Sequence, residues 1–163
     1  MAKEIERKYL VTDTSFKADA FKAFTITQGY LSSVPERAVR VRIRDNAAFI
    51  TVKGIGDASG RSRFEWEKEI SVDDAKLLLE ICEKGIIDKT RYLVAQGDFT
   101  YEVDEFHGEN EGLIVAEIEL KSADDVFQKP KWLGKEVTGD PKYYNAMLSK
   151  HPFKQWLSET EVK

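Results

Sequence analysis

The sequence predicts a mainly-β, α+β fold: an eight-stranded antiparallel closed barrel with a charged interior and flanking helices. Two observations carry this. Ionised and apolar residues alternate through stretch after stretch, as in Glu4-Ile5-Glu6-Arg7-Lys8, Arg40-Val41-Arg42-Ile43-Arg44 and Glu117-Ile118-Glu119-Leu120-Lys121. Successive side chains of a strand point to opposite faces, so each stretch lines one face with charge and the other with apolar groups. The rows also recur from the first residues to the last third of the chain, separated by turn signals such as Asp45-Asn46 and Gln96-Gly97-Asp98 that favour hairpins over parallel crossovers. Eight strands suffice to close a barrel that holds one small ligand.

In chain order, period-two patterns place strands at 2–10, 25–32, 38–45, 47–54, 62–70, 89–95, 98–106 and 113–121. Helices interrupt this meander. Residues 14–24 read as a helix with Phe16, Ala20, Phe21 and Phe24 on one face. Residues 71–84 read as a second, with Ser71 as cap, Asp73 and Asp74 in the positive first turn, Lys84 in the last and Gly85 as the stop. A third begins after Asp140 with Pro141 at its first position and ends near Pro152, and 122–129 suits a short helical turn. The glycines of Gly54-Ile55-Gly56-Asp57-Ala58-Ser59-Gly60 lack the strand-to-helix context and the Lys-Ser/Thr pair of a phosphate loop, so the stretch reads as a hairpin connection.

The 163 residues suit one domain, 1–163, with an ordinary core. The charged fraction, 33%, exceeds the ~25% of soluble domains without displacing apolar residues. A net charge of -4 argues against nucleic acid as partner. Cys82 alone excludes an internal disulfide, and its place on the stripe Ala75, Leu78, Leu79, Cys82 marks core filling. No run approaches the ~18 apolar residues of a membrane span, and Lys3, Glu4 and Glu6 stand where a signal peptide would be apolar, so a cytoplasmic protein with no membrane partner is expected. Pairing into a homodimer is left open.

By strand parity, Lys8, Arg40, Arg42, Lys53, Lys89 and Arg91 share a face with Glu4, Glu6, Glu65, Glu67, Glu102, Asp104, Glu117 and Glu119. Ile5, Val39, Val41, Ile43, Val52, Trp66, Val103 and Ile118 take the other. For a single strand the plain reading is a charged face in water. For the set, the alternative is a barrel with its charge inside, kept wet because dry ions cost several kcal/mol each unless paired. Arg and Lys grip phosphate oxygens, and carboxylates hold Mg²⁺ or Mn²⁺, so the two together suggest metal-bridged phosphates. His107 and His151 lack partners at metal-ligand spacing, Arg7 has outward parity, and Trp132 reads as packing between helix and barrel.

Glu4-x-Glu6-x-Lys8 resembles the ExExK signature of the CYTH superfamily, the triphosphate tunnel metalloenzymes. The resemblance runs on through Gln28-Gly29-Tyr30-Leu31, Val39-Arg40-Val41-Arg42, Thr51-Val52-Lys53, Glu65-x-Glu67, Lys89-Thr90-Arg91-Tyr92, Glu102-x-Asp104, Glu117-x-Glu119 and Glu136-Val137-Thr138-Gly139-Asp140. It implies a triphosphate tunnel in which Glu4, Glu6, Glu117 and Glu119 hold Mg²⁺ or Mn²⁺, with Asp104 or Glu67 serving a second ion or the attacking water. Lys8, Arg40, Arg42, Lys53, Lys89 and Arg91 would grip the phosphates. Tyr30 with Lys8 matches a pair that assists catalysis, its other reading being a strand aromatic packed on a helix. The chain looks most like the bacterial inorganic triphosphatases, which implies metal-dependent hydrolysis of inorganic triphosphate. Class IV adenylyl cyclase chemistry, thiamine or nucleoside triphosphate hydrolysis, and non-catalytic triphosphate binding are the alternatives. Phe64, Trp66, Phe106 or Trp132 would be the aromatics of any organic-group pocket.

Overall fold

The computed structural model describes residues 5–56 and 63–156. Among these, nine strands and three short helices follow in the order β1 (Ile5–Val11), α1 (Phe16–Asp19), β2 (Lys22–Ser32), β3 (Ala38–Arg44), β4 (Ala47–Gly56), β5 (Arg63–Ile70), α2 (Val72–Glu80), β6 (Ile87–Gln96), β7 (Phe99–Phe106), β8 (Ile114–Leu120), β9 (Leu133–Glu136) and α3 (Asn145–Lys150). One antiparallel sheet joins all the strands in the order β5-β4-β3-β2-β6-β7-β8-β1-β9. Each of the eight expected strands is there. The two-residue turns Asp45-Asn46 and Gly97-Asp98 make tight hairpins, with Asp45 and Gly97 both at positive φ.

Except on β5, where Phe64 and Trp66 stay exposed, the apolar faces of the strands are covered from outside. Val41 and Ala48 are buried beneath Ala75 of α2, with Leu78, Leu79 and half-buried Cys82 packed around them. Ser71 caps α2, its hydroxyl accepting from the Asp74 amide at 3.0 Å. A larger cluster gathers Tyr9, Val94, Tyr101, Val103, Ala116, Ile118 and Leu120 under Phe16 and Trp132. Phe16 meets Tyr92 and Trp132 edge-on, at centroid distances of 5.3 and 5.9 Å. A third cluster, with Ile87, Phe106, Leu113 and Val115, lies on the charged side of the sheet. Tyr143 and Leu148 of the C-terminal segment fill it and stop one end of the groove.

Several expectations change. The helix expected over 71–84 ends at Glu80, so Cys82, Lys84 and Gly85 lie beyond it and no basic residue stands in its last turn. The helix expected from Pro141 is split, a 3-10 turn at Pro141–Tyr143 being parted from α3 by extended Tyr144. The helix at 14–24 shrinks to α1, because Phe16 alone anchors it and the chain turns extended at Ala20. Phe24 then belongs to β2, on its charged face opposite Arg91. Residues 122–129 form a turn and extended chain in which the Asp125 carboxylate accepts from the amides of Lys121 and Ser122, a local bond that competes with helix. The short strand β9 was not expected, and it pairs on β1 at one end of the sheet. No strand pairing joins β5 to β9 among the described residues, so the sheet has two ends where a closed barrel has none. The central residues of the glycine-containing β4–β5 connection lie outside the described residues.

The sheet nevertheless curls. Tyr144 lies under the Lys8 ammonium of β1, 5.2 Å from ring centroid to Nζ, and also lines a cavity of about 380 Å³ with Arg40 of β3 and Lys53 of β4. In the sheet β1 stands five places from β3 and six from β4, roughly 24 Å or more if flat, too far for one tyrosine to reach across.

Candidate active site

Register settles which side chains share the inner face. Lys8 stands opposite Glu117 and Glu6 opposite Glu119 across β1–β8, and Glu117 faces Glu102 across β7–β8. Asp104 faces Arg91 across β6–β7, Tyr30 faces Arg40 and Gln28 faces Arg42 across β2–β3, and Thr51 faces Glu67 across β4–β5. Every predicted site residue among the described ones, namely Glu6, Lys8, Tyr30, Arg40, Arg42, Lys53, Glu67, Lys89, Arg91, Asp104, Glu117 and Glu119, therefore lies on one face of one sheet. Glu4 lies outside the described residues.

At the centre a buried ion network replaces solvent. The Lys89 ammonium, wholly buried, meets an Asp104 carboxylate oxygen at 2.9 Å and donates to Asn145 Oδ1 of α3 at 3.0 Å. Arg91 grips both Asp104 oxygens, at 2.8 and 3.0 Å, and reaches Glu102 at 2.7 Å. Burial works against the charge of Asp104, yet Lys89 and Arg91 outweigh it and hold the carboxyl down at about 2. Burial likewise opposes charge on Arg91, and Asp104 and Glu102 push its pKa above the usual range. Lys89 is lowered to about 8, chiefly by burial.

Across β2, the guanidiniums of β3 are less well neutralised. Burial, then the charges of Arg40 and Arg91, lower Arg42 to about 10, and burial lowers Arg40. Arg40 Nε is buried without a partner among the described residues. A wall of desolvated cations short of acceptors favours an anion. Nearer the ends, Lys8 pairs with Glu117 at 3.2 Å, Thr51 donates to Glu67 at 2.8 Å, and Lys53 reaches Glu65 at 3.9 Å. At the far end opens a cavity of about 610 Å³ lined by Lys22, Phe24, Arg44, Arg91, Glu102 and Glu119. Arg44 stacks there over Phe24 and Phe49, at 5.5 and 5.6 Å.

Carboxylate oxygens at Glu6, Glu117 and Glu119 suit a hard divalent cation in kind, and the register sets them on adjoining strands. Among the described residues no three His, Cys, Asp or Glu side chains converge closely enough to hold a metal ion, since Glu117 turns to Lys8 and Asp104 is occupied by its two cations. The aromatics suggested for an organic group lie elsewhere. Trp132 is buried in the outer cluster, Phe106 in the end plug, and Phe64 and Trp66 are exposed on the outer side of β5.

Two inner residues carry no charge and so left no sign in the alternation: Gln28, and Asn145 with its bond to Lys89. The motif Glu136-Val137-Thr138 positions Lys8 through its backbone. Val137 N donates to Lys8 O at 2.8 Å and Lys8 N donates to Thr138 Oγ1 at 2.9 Å. Arg7 points outward, as its parity required, and clamps Glu136 with contacts of 3.0 and 2.6 Å.

Comparison with known proteins agrees with this architecture. Residues 2–150 match the CYTH domain. An inorganic triphosphatase of Acetivibrio thermocellus is 48% identical over 96% of this chain and 99% of its own length. One of Nitrosomonas europaea is 36% identical over 90% of this chain and 96% of its own. A crystal structure of an inorganic triphosphatase superposes with a TM-score of 0.73 at 33% identity, over 91% of this chain and 95% of that one.

Proposed function

This chain belongs to the CYTH domain family, and from that premise we propose that it hydrolyses inorganic triphosphate to pyrophosphate and phosphate on the inner face of its sheet. The observation that carries the reading is the pair of desolvated guanidiniums Arg40 and Arg42, short of acceptors on the same inner face as Lys89 and Arg91, in a chain nearly half identical to an inorganic triphosphatase. Arginine forks suit phosphate oxygens, and Lys8 and Lys53 extend the grip toward one end. Donors fixed in a water-poor groove need no rearrangement as charge moves onto the bridging oxygen of the leaving pyrophosphate. Water adds to the terminal phosphorus while that bridging bond breaks. Glu67, oriented by Thr51, takes the water proton in this reading, and Lys8 with Tyr30 steadies the phosphoryl group being transferred.

In the same reading the reaction needs Mg²⁺ or Mn²⁺, which Glu4, Glu6, Glu117 and Glu119 would hold, while Asp104 stays with Lys89 and Arg91. When bound, the ion neutralises charge on the phosphoryl oxygens. Curling of the sheet into a tunnel around the triphosphate, with no pairing between its end strands β5 and β9 among the described residues, belongs to the same proposal. The Arg44 platform over Phe24 and Phe49 favours a second reading, in which a nucleoside triphosphate places its base in the far cavity.

Phosphate and pyrophosphate release from inorganic triphosphate, ATP and thiamine triphosphate, with Mg²⁺, Mn²⁺ or chelator, tests both. Metal-dependent release fastest on inorganic triphosphate is expected. Faster turnover of ATP, or cyclic AMP among the products, would favour the second reading, and binding without turnover would contradict both.

A further inference from the structure

Gln28 lies on the inner face of β2 and is 1% exposed. Its Oε1 accepts from Arg42 Nε at 2.8 Å. A guanidinium offers donors and no acceptor, so this bond fixes the orientation of the amide, oxygen toward Arg42 and nitrogen away. The nitrogen so directed, Nε2, is buried and has no hydrogen-bond partner among the described residues. Leaving a buried amide N–H unpaired is costly, so it needs an acceptor that the surrounding protein does not provide. Its neighbours explain the lack: Arg42 faces it directly, Arg40 stands two residues along β3, and Lys89 lies diagonally across on β6. All three are donors only.

We infer that Gln28 is a substrate-binding residue whose Nε2 donates a hydrogen bond to a phosphoryl oxygen of the triphosphate. A phosphoryl oxygen is the acceptor-only group that both Gln28 Nε2 and the unpaired Arg40 Nε require. A neutral donor at this place adds a contact without another positive charge beside Arg40 and Arg42. The same amide holds Arg42 in line through its oxygen, so one side chain joins the guanidinium to the anion. The inference rests on the triphosphatase reading of the groove.

Two substitutions separate contact with substrate from mere support of Arg42. Gln28→Glu keeps an oxygen for Arg42, and strengthens that bond, but turns a second oxygen toward the substrate where the N–H stood. Gln28→Met keeps the volume and loses both bonds. Affinity for inorganic triphosphate is measured by calorimetry on the full chain with Mg²⁺, KM and kcat by phosphate release, and folding by thermal melting. Q28E is expected to bind at least about tenfold more weakly than wild type and more weakly than Q28M. Q28E binding as well as wild type, or better than Q28M, would overturn the inference, because support of Arg42 would then be the whole role. Should Q28E fail to fold, Q28M decides: an unchanged KM overturns the inference and a raised KM upholds it. Wild type that binds no triphosphate would instead sink the triphosphatase reading itself.

Discussion

Asp104 shows how one carboxylate organises several cations. Both its oxygens are taken, by Lys89 and by the fork of Arg91, and it is nearly buried. Replacing it with alanine strands two desolvated cations, so D104A should lose about 3–5 kcal/mol in urea denaturation. Asp104→Asn, a milder change, should weaken triphosphate binding and leave the metal titration of activity where it was. A shifted titration would make Asp104 an ion ligand after all. Lys89 gives the pH dependence. Its folded pKa of about 8 lies below the ~10.4 of a free lysine. Between those values the unfolded chain binds more protons, so this lysine's contribution to the stability of the free protein rises with pH. A bound polyanion favours the charged ammonium, so KM should climb as pH rises through about 8, and a flat KM from pH 7 to 10 would contradict the assignment. Across β2 from Lys89, Arg42→Ala should lower turnover on the order of a hundredfold. Turnover unchanged in that variant would remove Arg42 from the site. That the ionised residues share one face of the sheet was readable from alternation, because parity sorts each strand into two faces, while their roles came from the family resemblance. Gln28 and Asn145 were not readable in this way, since a neutral amide breaks no pattern and its role exists only through the partners that the fold brings to it.

At the scale of elements, the docking of α3 depends on a close backbone approach as well as on Leu148 and Asn145. Gly85 has φ +98, and a Cβ there would run into the Ser149 backbone of α3. Gly85→Ala combines left-handed strain with that clash, so about 2 kcal/mol or more of stability should go, read by denaturation. Because α3 carries the Asn145 oxygen that accepts from Lys89, phosphate release should fall as well. A variant with wild-type melting and turnover would show that the helix tolerates displacement. Strands were legible because each has two chemically different faces. The helix at 14–24 was overcalled because the apolar spacing of Phe16, Ala20, Phe21 and Phe24 suits a helix, while Phe24 serves β2 beneath Arg44. The four residues Leu133-Gly134-Lys135-Glu136 are too few to show a period, and β9 owes its place to its pairing on β1 and to the Arg7–Glu136 clamp.

The whole molecule is acidic, with net charge -4, yet its substrate is a polyanion. Attraction must therefore be local to the groove, where low-dielectric walls focus the field of the basic rows. Raising ionic strength from about 0.1 to about 1 M shortens the screening length from ~10 to ~3 Å, so kcat/KM should drop severalfold while kcat changes less. An unaffected kcat/KM would mean that capture owes nothing to long-range charge. The end strand of the sheet has a further consequence. An end strand offers unpaired backbone donors and acceptors on which a neighbouring molecule can add its own strand. Glu65, Glu67 and Glu69 occupy alternate positions of β5, on its inner face. If two copies met β5 to β5, antiparallel with each face continuous, any register near full overlap would set glutamate against glutamate. The carboxylates that belong to the groove thus also discourage crowded copies of this protein from zipping into fibres.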